Sequence, residues 1–153
     1  MKACIMVLTL LICSFVKGQD TALFRRIDSI VAKVDLMASK GTFDTLKGSL
    51  QNSYPPGTTS DIFLLKHGRA VQKIYIINNA TSAREFTIFE SGIPAFREVQ
   101  GPSSTWKYYL DGETSYLYFK EDNRLVTLNS QFHYDQVDGW LDLFKDQINK
   151  DGN

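Results

Sequence analysis

Beyond Cys13 the chain has no cysteine, and the other one is Cys4. Nothing downstream can therefore form a disulfide framework or carry thiol chemistry. An excess of either charge is also missing. Seventeen Lys and Arg balance seventeen Asp and Glu over 153 residues. That excludes a strongly basic nucleic-acid binder and an acidic disordered tail. The basic residues are dispersed rather than striped, so no nucleic-acid partner is expected. Past Val16 no stretch has the roughly twenty apolar residues of a membrane-spanning helix, so the mature chain should have no transmembrane anchor. The only histidines are His67 and His133. A metal site wants three or four convergent ligands, so no metal or cofactor is expected. The sequence contains no phosphate loop, dinucleotide fingerprint, HExxH, EF-hand loop or Gly-x-Ser-x-Gly elbow.

The first residues predict an export signal. Lys2 gives a short positive start, and residues 3–16 are an apolar run of fourteen. The run is too short to span a bilayer and fits the hydrophobic region of a signal peptide. Val16-Lys17-Gly18 places compact residues where a signal peptidase reads. Ile12 departs from the small residue that precedes a lipid-anchored cysteine. Cleavage near Gly18 gives a secreted or periplasmic protein. Residues 1–18 are then expected to be removed, leaving residues 19–153 as a single domain with a formal charge of −2. A cysteine-free exported domain of this size must rely on its core.

The mature chain reads helix, strands, helix. Leu23, Ile27, Ile30, Val31, Val34 and Ala38 lie on one face of a helix over residues 20–39, which Gly41 ends. Phe43, Leu46 and Leu50 predict a second short helix over 43–50, and residues 52–60 read as a loop. Seven β-rich runs follow, at 62–67, 70–77, 84–90, 95–100, 105–110, 114–120 and 124–129. The connections are too short for parallel crossovers, so neighbouring strands should be antiparallel. Val137, Trp140, Leu141, Phe144 and Ile148 predict a helix over 135–149, with Asp135 as its cap.

Turn chemistry gives a register. Asp111-Gly112 as a hairpin centre pairs Trp106 with Leu117 and Tyr108 with Ser115. Asp122-Asn123 then pairs Leu117 with Leu128, Phe119 with Val126 and Glu121 with Arg124. One face collects Trp106, Tyr108, Leu110, Leu117, Phe119, Val126 and Leu128. The other collects Thr105, Lys107, Tyr109, Thr114, Tyr116, Tyr118 and Thr127. A Gly68-Arg69 turn places Phe63, Leu65, Ile74 and Ile76 together, with Ile62, Leu64, Lys73 and Tyr75 opposite. The fold class is thus α+β. A six- or seven-stranded antiparallel β-meander is packed on one face, the Trp106 face, by an N-terminal helical segment and a C-terminal helix. The order resembles helix-grip ligand-binding domains, but no strand precedes the first helix and the last helix is short. No family follows from it.

If both helices cover the Trp106 face, the tyrosine-rich face is left in water. Tyr75, Lys107, Tyr109, Tyr116 and Tyr118 are then the candidate ligand-binding residues. Tyrosine offers an apolar body and a polar tip, which suit a small apolar or glycan ligand or a protein partner. The expected function is a non-enzymatic exported binding module, using that face or a pocket between sheet and helices. Its rivals are a protein inhibitor or immunity-type partner of a secreted enzyme, and a small hydrolase using His133 with Asp135 or Asp138. The other carboxylates, Glu85, Glu90, Glu98 and Asp111, are scattered singly, and no catalytic residue is assigned. Asn79-Ala80-Thr81 fits a glycosylation sequon in an expected turn.

Overall fold

The computed structural model describes the backbone of residues 2–53, 56–112, 114–119 and 124–150, and the side chains of residues 21–51, 56–112, 114–118 and 124–149. Helix α1 (Lys2–Ser39) is followed by eight strands: β1 (Asp44–Ser53), β2 (Thr58–His67), β3 (Ala70–Asn78), β4 (Arg84–Glu90), β5 (Ile93–Gln100), β6 (Thr105–Asp111), β7 (Thr114–Phe119) and β8 (Arg124–Asn129). Helices α2 (Gln131–Asp142) and α3 (Lys145–Lys150) complete the chain. The strands form one antiparallel sheet in the order β1 to β8. The meander and its terminal helices are as the pattern predicts, with one strand more than expected.

That extra strand replaces the helix expected over 43–50. Leu46, Gly48 and Leu50 alternate onto one face of β1, where they pair with Leu64, Ile62 and Ser60. Gly48 hides the alternation, because its core-facing position carries no side chain. An added Cβ would meet Phe144 Cζ at 3.1 Å and Ile62 Cγ2 at 3.2 Å. Strand β2 starts at Thr58, inside the expected loop. The β5 boundary moves the same way. Ser91 (φ 53°) and Gly92 (φ 83°) make the turn, which returns Ile93 and Pro94 to the strand. Pro94 sits beside the register shift of the β4–β5 pair, where a missing N–H costs least.

Three registers differ from expectation. His67 pairs with Ala70, as the Gly68-Arg69 turn requires, but a bulge then shifts Leu65 opposite Lys73. One extra residue exchanges the two faces. Ile62, Leu64, Ile74 and Ile76 therefore share the buried side, and Phe63, Leu65, Lys73 and Tyr75 the other. At β6–β7, Asp111 pairs with Thr114 and Tyr108 with Leu117, so the turn falls one residue late. Gly112, not Asp111, takes the positive φ of 57° at the first turn position. At β7–β8, Leu117 pairs with Val126 and Phe119 with Arg124, not with Glu121. The Asp122-Asn123 turn lies outside the described residues. Both of these shifts are even, so face membership survives them.

The helices lie on opposite faces, not on one. On one face α1 packs Ile27 and Val34 against Ile88, Phe96 and Tyr109, with Leu23, Phe24 and Val31 beside them. On the other, Val137 and Phe144 pack against Ile62, Leu64, Ile74, Ile76 and Phe89, with Trp140, Leu141 and Ile148 alongside. Burying each such side chain contributes roughly 1.5–3 kcal/mol. Gly41 (φ 66°) closes α1 as expected, with the Thr42 N–H reaching the Met37 carbonyl at 3.2 Å. Helix α2 begins four residues before Asp135. Asn129 Oδ1 accepts the Gln131 N–H at 2.8 Å, and Asp135 instead accepts from Gln131 Nε2 at 2.6 Å. Ser130 and Tyr134 hydroxyls both donate to the Gly112 carbonyl, at 2.5 and 2.8 Å, which ties the start of α2 to the β6–β7 hairpin.

Candidate functional site

The tyrosine face lies beneath α1, because Tyr109, Tyr116 and Tyr118 offer ring surface that the apolar stripe of α1 covers. The Phe24 ring lies tilted at 4.4 Å from Tyr109 and edge-on at 6.0 Å from Tyr116. The buried Tyr109 hydroxyl donates to Asp28 Oδ1 at 3.0 Å. Burial and that hydrogen bond push the phenol far above its usual range. The expectation that this face stands open to water is therefore overturned, for the physical reason that tyrosine rings suit a core as well as a surface. Tyr75 lies apart on β3, half-buried, with Phe63 at 6.3 Å. Beside it Lys73 Nζ reaches Asp35 of α1 at 2.7 Å.

Three of the five residues still meet. Lys107, Tyr109 and Tyr118 line a cleft of about 550 Å³ with Thr105 and the β5–β6 loop, residues 101–104. Lys107 Nζ stands 3.5 Å from Glu98 Oε2, which takes up part of its charge.

A second pocket, of about 480 Å³, lies between the sheet and α2. Leu50, Ile76, Val99 and Trp140 give it apolar walls, and Arg84, Glu85 and Gln136 give it polar groups. Helical spacing puts Gln136 and Trp140 one turn apart on the inward side of α2. Gln136 Oε1 is buried there without a hydrogen-bond partner. A buried acceptor left unpaired costs roughly 1–3 kcal/mol.

Behind this pocket sits a charged cluster. Arg97 is 5% exposed. Its Nε donates to Glu85 Oε1 at 2.5 Å, and its Nη1 donates to His133 Nδ1 at 2.9 Å. The guanidinium also lies 5.4 Å from the Trp140 ring. The His133 ring lies tilted against Tyr108 at 4.5 Å. Burial, then the Arg97 charge, push the imidazole down to about 4. It is neutral at pH 7, and accepting at Nδ1 leaves its proton on Nε2. Burial pushes the Glu85 carboxyl up, more than Arg97 pulls it down. Asp135 and Asp138 are exposed, on other sides of α2 from His133, so neither orients the imidazole. Among the described residues no three His, Cys, Asp or Glu side chains gather as metal ligands, and no helix is long and apolar enough to cross a membrane.

Sequence reasoning missed Arg97 and Glu85 as a buried pair. The available signal was parity: with Phe89 facing inward on β4, Glu85 must face inward too. The chain matches no family model, no curated protein and no solved structure.

Proposed function

We propose that the chain is an exported, non-enzymatic binding module whose ligand occupies the pocket under α2, and that the ligand is a small neutral polyol such as a glycan unit. The observation that carries this reading is Gln136 Oε1, a buried acceptor without a donor in the wall of a pocket. A hydroxyl-bearing ligand supplies that donor. Trp140 offers an apolar ring face to the C–H side of a sugar, and Glu85 and Arg84 offer an acceptor and donors at the same wall. Arginine and glutamate together favour a neutral ligand over a charged one. Export rests on Lys2 and the apolar run of residues 3–16. A binding role rather than catalysis is supported by His133, which Arg97 holds from within.

Native mass spectrometry of the protein released gently from its host's exported fraction tests the reading. The expected mass is the chain plus a hexose-type adduct, lost in Gln136→Leu and Trp140→Ala. A bare mass overturns it, if added disaccharides also fail to shift the Gln136 amide and Trp140 indole NMR signals.

A further inference from the structure

Among the described residues, strand β8 and the sheet face beside it are left partly exposed by the fold's own helices. Helix α2 leaves β8 at once. It lays His133 over Tyr108 and Arg97, and the chain then reaches β1, where Phe144 meets Gly48. Behind it remain Trp106, 38% exposed, and Leu128, 40% exposed, and Phe132 in its own first turn is 63% exposed. Half-buried Leu117 and Val126 lie between them, and Tyr108, Leu117 and Val126 form one cross-strand row. This is the stripe that the sequence marks as a core face.

The two sheet edges are built differently. β1 is broken by a register shift between Leu50 and Ser53, and Phe144 packs over its middle. Those features protect an edge. β8 pairs with β7 residue for residue, without a shift. It contains no proline and no lysine, and Arg124 is its one charged residue. Its outer backbone row is therefore a straight template for another strand.

We propose that this edge and face join a second copy of the chain, in an isologous two-fold dimer. The register supports a second copy over an unrelated strand. A two-fold axis normal to the sheet through Thr127 pairs Val126 with Leu128 of the second copy, twice, on the uncovered face. Thr127 meets its own equivalent, and Leu125 meets Asn129. Apolar and Thr–Thr cross-strand pairs of this kind are favourable. The same axis keeps the two Arg124 side chains at opposite ends, so no like charges face each other. It also leaves the Trp106 and Phe132 patches of both copies on one side of a continuous sheet, at opposite ends of the seam. The inference concerns a different surface from the pocket under α2 and stands without it.

Sedimentation velocity of the full chain over a wide concentration range is the test. A monomer–dimer equilibrium is expected. Leu128→Lys, an exposed position, should weaken it at least about tenfold, a cost of about 1.4 kcal/mol, with the melting temperature unchanged. Thr127→Pro should abolish it, and Val126→Lys covers the case in which that proline unfolds β8. A chain that is monomeric throughout overturns the proposal. So does a dimer that survives both lysine substitutions, since it then forms elsewhere, and so does a monomer that takes up a strand from a different protein at this edge.

Discussion

At position 48 the core has room for a hydrogen atom and little more. Gly48→Ala places a methyl at 3.1 Å from Phe144 and 3.2 Å from Ile62, closer than ordinary van der Waals contact, so the ring has to give by a few tenths of an ångström. A loss of about 1–2 kcal/mol is expected, read as a lower urea midpoint with an unchanged slope. His133 gives the fold a pH dependence. Its folded value of about 4 lies below the usual imidazole value of 6.5. Between those values the unfolded chain binds the extra proton, so stability is complete above about pH 6.5 and falls as the pH drops toward 4. The loss amounts to at most about 3 kcal/mol. Glu85 opposes it, because a raised carboxyl takes its proton earlier in the folded state. The urea midpoint should therefore be lower at pH 5 than at pH 7, and His133→Gln should flatten that difference. Equal slopes in the two proteins would show that His133 titrates normally. Arg97→Met leaves Glu85 buried without its partner and should cost about 3–5 kcal/mol.

Among the elements, α1 depends most on a single stripe. Ile27 has no exposed surface, and Ile27→Asp puts an unpaired carboxylate between helix and sheet. Loss of about 3 kcal/mol or more is expected, with Tyr109 fluorescence shifting as its ring reaches water. The stripe itself was legible, since the steps from Leu23 to Val34 fit a single period. β4 and β8 were legible to the residue because turn residues bound them on both sides. β1 was not. Phe43, Leu46 and Leu50 fit a helical step, only Leu46 and Leu50 share a strand face, and the deciding member, Gly48, has no side chain to read. The bulge in β3 left no mark in the sequence, yet it exchanged every residue before it between faces. The site was less legible than the fold. Arg97, Glu85 and His133 come from β5, β4 and α2, and each looks in isolation like an ordinary surface charge. Only a sheet covered on both faces makes them buried. Tyrosine misled for a related reason, because its period marks a face without saying whether a helix covers it.

For the whole molecule, helices on opposite faces make the two ends of the chain unequal. The described core contacts of α1 begin at Leu23. A chain starting at Gln19 should keep its melting temperature within a few degrees and unfold in one cooperative step, as calorimetry can show. A chain ending at Asn129 strips Ile62, Leu64, Ile74 and Ile76 of their cover. It should bind a hydrophobic dye and lose sharp NMR dispersion. Because sheet order equals chain order, each strand finds its neighbour as soon as it is made. The cover of β1 and β2 is different. Phe144 closes over Gly48 roughly a hundred residues after that strand is synthesised, and translation adds about 5–20 residues per second. For about 5–20 seconds the growing chain carries a paired but naked apolar sheet, the interval in which a chaperone has most to hold.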